Sequence, residues 1–569
     1  MRHATVFLAS VMLLGFGAAW GAENLLANPS FEEGEIGARP PRWGQAAYAG
    51  KESNLPAPFA AAPGGHAGDK CAVVEVPENM QWSLIDQHLN VPTDLSKGLL
   101  LSAWLRSEDP EGKVDLVIFV AAPKRKAYDL AQVRLGFTDI GKEWKHCQAA
   151  LSLEEAVGVQ QDDELLSRAI IQVYAPHRKV YVDDVSFTVV DAGTVNASSL
   201  SAVPERYREG VVDSVTEAVP IILADGKVAL FYTKGGNVIF RASKDDGKSW
   251  GSRTPCLLAS GQALKTGDCH PVRLKSGKLG LVLHDKYMLK FSVSEDEGAS
   301  WSEPVAVNPS GPGGKPLNGA PFVTSAGRII VPVWNIPPEL RPLWSKPGFA
   351  ATICWLSDDE GKTWRRSQTI LSEKGEVKAA FEEAVGVELP DGKLMLFART
   401  PMARIFKCYS SDGGETWTKP EPTPLVSSYA PCALGRMPNG DLLAVWNQSS
   451  IEEVKQTFRR HRLTCAVSSD DGETWFHHRN LESLDDVTKI DEDVNWNIFD
   501  FEHEPPYKQP TDAAKYPHAP APLRCAYPAA AFTKNAAVIV YDYGSAVGIF
   551  PGQYLKVRSL PYEWFYENP

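Results

Sequence analysis

From Ala218 onward the chain alternates short apolar runs with tight polar turns, and one arrangement returns six times. The copies are AVPIILADGKVALFY (218–232), HPVRLKSGKLGLVLH (270–284) and APFVTSAGRIIVPVW (320–334). They continue with AVGVELPDGKLMLFAR (384–399), CALGRMPNGDLLAVWN (432–447) and AYPAAAFTKNAAVIVYDYG (526–544), the last without the glycine. Two apolar runs flanking a turn of this kind predict a β-hairpin. The first five hairpins are each followed by a phrase of pattern S-x-D-x-G-x-[ST]-W, starting at Ser243, Ser294, Ser357, Ser410 and Ser468. Its Asp can accept hydrogen bonds from turn N–H groups, its Gly takes the positive-φ position, and its Trp folds back as an apolar plug. The copies recur every 51 to 63 residues, so this is one repeated structural unit and not five functions. About four strands per unit and six units predict a six-bladed β-propeller over 196–569.

The region before it has a different rhythm. CAVVEV from Cys71, LLLSAWLRS from Leu99, KVDLVIFV from Lys113 and KVYVDDVSFTVV from Lys179 alternate with period two, separated by Gly, Pro and Asp clusters. That pattern predicts a jelly-roll-like β-sandwich over 23–195, and the fold class is all-β. Asp191–Glu205, rich in small residues, reads as the linker between them. Phe476 to about Pro522 interrupts the repeat period and reads as a long loop over one propeller face. Arg2 and His3 precede an apolar run from Val6 to about Trp20, followed by Ala19-Trp20-Gly21 as a small-x-small cleavage site. Residues 1–22 therefore read as a removed signal peptide, and the expected location is secreted or periplasmic. No later stretch is long and apolar enough to span a bilayer.

Charge and cysteine usage narrow the partners. Net charge is −12 with no Lys/Arg block, which argues against nucleic acid or an anionic membrane. Nine dispersed Cys with no C-x-x-C form neither a disulfide framework nor a zinc site. No cofactor and no metal are required. Calcium on Glu32-Glu33 and Asp183-Asp184 is the one ion for which oxygen ligands stand together, although acidic pairs usually lie free on a surface. Trp43, Trp82 and Trp104 are either sugar platforms or sandwich core.

Two resemblances attach to these motifs. The opening NLLANPSFEEG and the strand VYVDDVSF resemble the galactose-binding-type sandwiches appended to secreted glycosidases. Six blades with S-x-D-x-G-x-T-W turns resemble the sialidase (neuraminidase) superfamily. That resemblance implies an exo-glycosidase that removes sialic acid from sialylated glycans, with the stamped turns peripheral and the site on the inner strands. A sialic acid carries a carboxylate on its anomeric carbon. Its site therefore needs arginines for that group, and a Tyr nucleophile served by a Glu because a carboxylate nucleophile would be repelled.

Residue by residue, EEAVGVELPDGKLMLFART resembles the segment carrying that Glu and a triad Arg, here Glu383 and Arg399. RRHRLTCAVSSDDGETW resembles the segment of the last triad Arg, with Arg460 matching and Arg462 second. AYPAAAFTKNAAVIVYDYG resembles the nucleophile strand and places Tyr527 as the attacking residue. Three parts of the pattern depart. Ala218-Val219-Pro220 stands where the family has Arg-Ile-Pro, Thr233–Asn237 lacks the acid Asp, and Asp542 stands where the family often ends its last strand in Glu. Asp268 and Asp285 of blade two are the candidate acids, with His270 and Arg273 beside them. Arg341 and Arg404 are candidates for the missing arginine. The alternatives are a non-catalytic glycan-binding propeller or a glycosidase for another acidic sugar.

Overall fold

The computed structural model describes residues 23–48, 59–78, 80, 82–109, 113–122, 127–137, 140–154, 165–174, 178–191, 208–285, 288–308, 316, 320–335, 351–369, 371, 381–450, 453, 460–483, 523–545 and 553–567. The proposed signal peptide, most of the linker and Arg341 lie outside these. The chain divides into two compact units, a sandwich and a propeller.

The sandwich is two five-stranded sheets. One runs, in hydrogen-bonded order, Gly44–Tyr48, Trp82–Val91, Leu165–Tyr174, Val114–Ala122, Ala127–Phe137; the other runs Phe59–Pro63, Lys70–Glu75, Lys179–Asp191, Lys97–Ser107, Lys145–Ser152. Trp43 is core: it is buried beside Phe31 at 5.1 Å and its indole N–H donates to the Asn28 carbonyl. Trp82 packs against Leu84, Val117 and Ile170, and Trp104 stacks on the His66 ring at 3.8 Å. The acidic pairs are spent locally. Asp183 accepts the His66 backbone N–H, Asp184 accepts Ser30 and faces His66 Nδ1, and Glu32 accepts the Lys70 N–H. Among the described residues no group of three or more His, Cys, Asp or Glu is placed to hold a metal.

The propeller is six four-stranded sheets. Their first strands are Val219–Ile222, Asp268–Arg273, Phe322–Val323, Glu382–Glu388, Cys432–Arg436 and Leu523–Phe532. The second strands are Val228–Lys234, Leu279–Asp285, Ile329–Asn335, Leu394–Arg399, Leu442–Asn447 and Ala536–Ser545. Six apolar clusters each join two consecutive blades, and the last joins blade six (Val538, Val540, Leu555) to blade one (Val228, Leu230, Tyr232). A closed ring buries both faces of every sheet, which is why these strands are so uniformly apolar.

Each stamped turn links the third and fourth strands of its blade. In all five the Gly N–H donates to the Ser hydroxyl at 2.8 Å, and the Asp accepts the N–H four residues on at 2.8–2.9 Å. The glycines hold φ between 87° and 93°, a region costly for any residue with a Cβ. Each Trp enters the cluster shared with the preceding blade; Trp301 meets Phe231 edge-on at 5.8 Å.

Two details differ from expectation. The interruption after the fifth turn starts later, because Phe476–Glu482 is the fourth strand of blade five. Blade six needs no stamped turn, because its outermost strand is Val211–Asp213, contributed from ahead of blade one and paired with Gln553–Pro561. The two ends of the propeller sequence thus meet in one sheet. All nine cysteines are free and buried, and among the described residues no helix is long and apolar enough to cross a membrane.

Candidate active site

The rim opposite the stamped turns is built from strand starts that break regular pairing. In blade four the register slips between Glu382 and Val385, and Glu383 sits at φ 52°. In blade six it slips between Ala526 and Ala529, and Tyr527 sits at φ 53°. Each is a β-bulge, which re-aims a side chain and ends the two-residue alternation. Ahead of blades one and five, Glu217 and Tyr429 adopt φ 58° and 61°. Left-handed non-glycine residues cost of order 1–3 kcal/mol each and gather where function demands a particular orientation. All four here carry a proton-bearing side chain.

Blade four contributes a tight charged group. Arg399, paired across its hairpin with Glu382, donates through Nη1 to Glu383 Oε2, and its Nε stands 3.6 Å from Glu382 Oε1. Its guanidinium lies 4.1 Å from the Tyr429 ring centroid, and the Tyr429 hydroxyl donates to Glu382. Burial disfavours the Arg399 charge, but Glu383 and Glu382 outweigh it and hold the guanidinium firmly protonated. Burial raises Glu382 against the pull of Arg399 and Tyr429.

Blades five and six contribute the second group. The Arg460 guanidinium lies 4.8 Å from the Tyr527 ring centroid, a cation–π placement. Arg524, three residues before Tyr527, points its Nη1 at Asp542 Oδ2 across 3.8 Å. Asp542, opposite Ala526 on the neighbouring strand, accepts the Glu217 backbone N–H at 2.9 Å. Burial, with the Glu217 charge, pushes the Asp542 carboxyl up to about 7 despite Glu217 N–H, Arg524 and Arg460. Burial and the like charge of Arg460 lower Arg524. Tyr527 lies within electrostatic reach of both Arg399 and Arg524, so the two groups share one rim.

Tyr527, Arg399 and Arg460 therefore share one rim, with Glu383 held there by Arg399. The remaining candidates are committed elsewhere or have side chains outside the described residues. Arg273 ends its strand on the stamped-turn side, where it donates to Glu297 at 2.8 Å and to the Ile222 carbonyl at 2.9 Å. Its place at the far end of a six-residue strand from Asp268 removes it from the rim. Arg462 is fully buried and spans both oxygens of Glu453 at 2.8 and 2.9 Å, so it braces the fold. His270 is also fully buried, 3.4 Å from Asp268. The Asp268 carboxylate turns back to its own neighbour, accepting the Cys269 N–H at 2.9 Å. Asp285 closes the second strand of blade two, with its side chain outside the described residues. Arg404 donates to the Pro424 carbonyl at 3.1 Å. Ala218 is buried in the core joining blades one and six.

Arg524, Glu217 and Asp542 were not among the candidates. The signal for Arg524 was a lone charge inside the apolar run LRCAYPAAAF, and for Glu217 a carboxylate directly ahead of Ala218.

Residues 284–540 match a family described as BNR repeat-like domain. Over 151 residues the chain is 33% identical to the anhydrosialidase of Macrobdella decora, a match covering 25% of this chain and 18% of that protein's length. Among solved structures, the NanB sialidase from Streptococcus pneumoniae shares 12% identity over 82% of this chain and 95% of its own, with a TM-score of 0.43. The intramolecular trans-sialidase from Ruminococcus gnavus shares 14% over 63% and 97%, with a TM-score of 0.42. In its stamped six-bladed architecture, its BNR repeat-like match and its similarity to this relative, the repeat region of the chain is sialidase-like, and the match spans less than a fifth of the relative's length.

Proposed function

We propose that the chain is a secreted exo-glycosidase of sialidase type that hydrolyses terminal α-linked sialic acid from glycoconjugates such as mucin glycans. One observation carries the reading: Tyr527, turned by its bulge, lies beside Arg460 and within electrostatic reach of Arg399, which in turn holds Glu383. A neutral phenol can approach an anomeric carbon that bears a carboxylate, where a carboxylate nucleophile would be repelled. In this scheme the Tyr527 oxygen bonds to the anomeric carbon while Glu383 accepts its proton. The bond to the leaving sugar breaks as a carboxylic acid protonates that oxygen, and water later displaces Tyr527.

Glu217 suits the acid's role. It is half-buried at the rim beside Asp542, whereas Asp542 itself is only 2% exposed. The test is release of free sialic acid from a mucin and from an aryl sialoside by wild type and Tyr527→Phe. Release by wild type that collapses in the variant is the expected result; equal release by both would remove Tyr527 from the chemistry.

A second reading, a glycan-binding propeller without turnover, is favoured by one feature. The Tyr527 hydroxyl donates to no described residue, and the Glu383 carboxylate is committed to Arg399. Binding of sialosides without release by wild type would decide for it.

A further inference from the structure

Asn447 ends the second strand of blade five, the place that Arg399 takes in blade four. It is fully buried at the close of the otherwise apolar run LLAVWN, and it joins three segments of the rim. Its Nδ2 donates to the Arg462 carbonyl at 2.9 Å and to the Cys525 carbonyl at 2.8 Å. Its own backbone carbonyl accepts the Ser428 N–H at 3.2 Å. Arg462 lies two residues after Arg460, Cys525 two before Tyr527, and Ser428 one before Tyr429. A further bond closes the set, because the Cys525 N–H donates to the Arg460 carbonyl at 2.8 Å. The backbones that deliver Arg460 and Tyr527 are thus tied directly and again through one side-chain amide. Asn447 Oδ1 is buried without a hydrogen-bond partner. A half-satisfied buried amide is costly, and a position serving packing alone would be apolar, like the five residues before it.

We propose that Asn447 is a positioning residue of this site: it sets Arg460 against the Tyr527 ring and steadies the bulge that turns Tyr527, without touching substrate itself. The inference deepens the glycosidase reading, and its kinetic part rests on that reading. The distance under its control is the 4.8 Å between the Arg460 guanidinium and the Tyr527 ring centroid. Tyr527 needs such support, because a left-handed backbone at φ 53° is costly and persists only where its surroundings hold it. Cys525 lies just ahead of the register slip, in the edge strand of its sheet, so the amide of Asn447 supplies a donor to a carbonyl at that free edge. The Arg460–Arg462 segment is fixed from its other side by Glu453, which accepts both Arg462 nitrogens and faces His461 Nε2 at 3.2 Å. Asn447 therefore joins two anchored segments. Loss of its amide lets one shift against the other, and a reacting group misplaced by about 1 Å can lose about 10²-fold in rate.

The test reads geometry, stability and turnover separately on the full chain. Asn447→Leu keeps the side-chain size and donates nothing; Asn447→Ser leaves one donor and room for water. Crystal structures of wild type and both variants are compared at Arg460 and Tyr527, beside melting curves and release from an aryl sialoside well below the melting temperature. In Asn447→Leu the blade cores are expected to superpose on wild type while Arg460 leaves the Tyr527 ring, and kcat to fall about 10- to 100-fold. Asn447→Ser is expected to lie between. A residue that only braces the fold would lower the melting temperature and leave both kcat and the Arg460–Tyr527 distance as in wild type. That result overturns the proposal. Should Asn447→Leu fail to fold, Asn447→Ser decides by the same two readouts. If wild type releases no sugar, the glycosidase reading falls and the crystal structures decide alone: a displaced Arg460 upholds the positioning role, and an unmoved one ends it.

Discussion

Glu383 and Tyr527 occupy matching irregularities: each lies at a bulge in the first strand of its blade, and each holds a left-handed backbone, at φ 52° and 53°. If Glu383 and Tyr527 act as base and nucleophile in the proposed scheme, they should fail separately in chemistry and together in nothing else. Glu383→Gln and Tyr527→Phe are each expected to lower kcat by about 10²- to 10⁴-fold, the range for removing a positioned proton acceptor or nucleophile. Tyr527 is only partly buried, and Glu383→Gln still offers Arg399 an acceptor, with Glu382 keeping a carboxylate beside it, so both variants should stay folded. Steady-state rates with calorimetry check this; loss of folding in either variant would mean the pair is structural.

If Glu217 protonates the leaving oxygen, its loss should matter in proportion to how much help that oxygen needs. Glu217→Gln is expected to lose about 10²-fold or more with a natural glycan and little with an aryl sialoside whose phenol is a good leaving group. Equal losses on both substrates would assign the residue to positioning. The substitution keeps the backbone N–H that holds Asp542.

Arg273 and Arg460 were both candidate substrate-binding residues, yet they lie at opposite ends of their blades. Arg273→Ala removes a brace to Glu297 and to the Ile222 carbonyl and should cost about 1–3 kcal/mol of stability with KM unchanged. Arg460→Ala should raise KM for an acidic substrate by about 10-fold or more with little effect on stability. Denaturant titration and kinetics on both variants separate these outcomes, and the reverse pattern would misplace the rim.

Much of the fold was legible because it is repeated. Five copies of one turn and six of one hairpin fixed the blade count, and the Ser, Asp, Gly and Trp of each turn behave as their chemistry implies. Of the candidates named from the family pattern, Tyr527, Arg460, Arg399 and its partner Glu383 stand at one rim. The site was not legible where a bulge resets the alternation. Counting by twos along LRCAYPAAAF gives no rule for where Arg524 points once the register slips after Ala526. Burial was invisible too, since Arg462 two residues after Arg460 looks equally available until Glu453 closes on it. A three-residue closing strand carries too little pattern to be seen at all.

The carboxyl of Asp542, raised to about 7, makes a pH signature. An unfolded Asp titrates near ~3.9, so between roughly pH 4 and 7 the folded chain holds a proton that the unfolded chain has released. This contribution to stability is complete below about pH 4 and is lost as pH rises through about 7. The groups facing it are Arg524, Arg460 and Glu217. Asp542→Asn, neutral at every pH, is expected to flatten the fall in melting temperature between pH 5 and 8. An unchanged slope would mean that Asp542 titrates normally.

The closing strand makes a separate demand on stability. Asp213 is fully buried in the outermost strand of blade six and receives the Tyr232 hydroxyl at 2.7 Å and Arg253 through two nitrogens at 2.8 Å, with Lys234 Nζ at 3.3 Å. Three of its partners belong to blade one, so this carboxylate ties the ends of the ring together. Burial opposes its ionisation, but Lys234, Arg253 and the Tyr232 hydroxyl outweigh it and hold the group well below the usual carboxylate range. Stability from this cluster is present above the ordinary Asp value near ~3.9 and lost as pH falls below it. Asp213→Ala withdraws the shared counter-charge from buried cations and should cost about 3–5 kcal/mol; Asp213→Asn should cost less, because it can still accept from Tyr232. Chemical denaturation at pH 7 and pH 3.5 checks both the size and the direction. If Asp213→Ala unfolds at the wild-type midpoint, the ring is held by its apolar clusters alone.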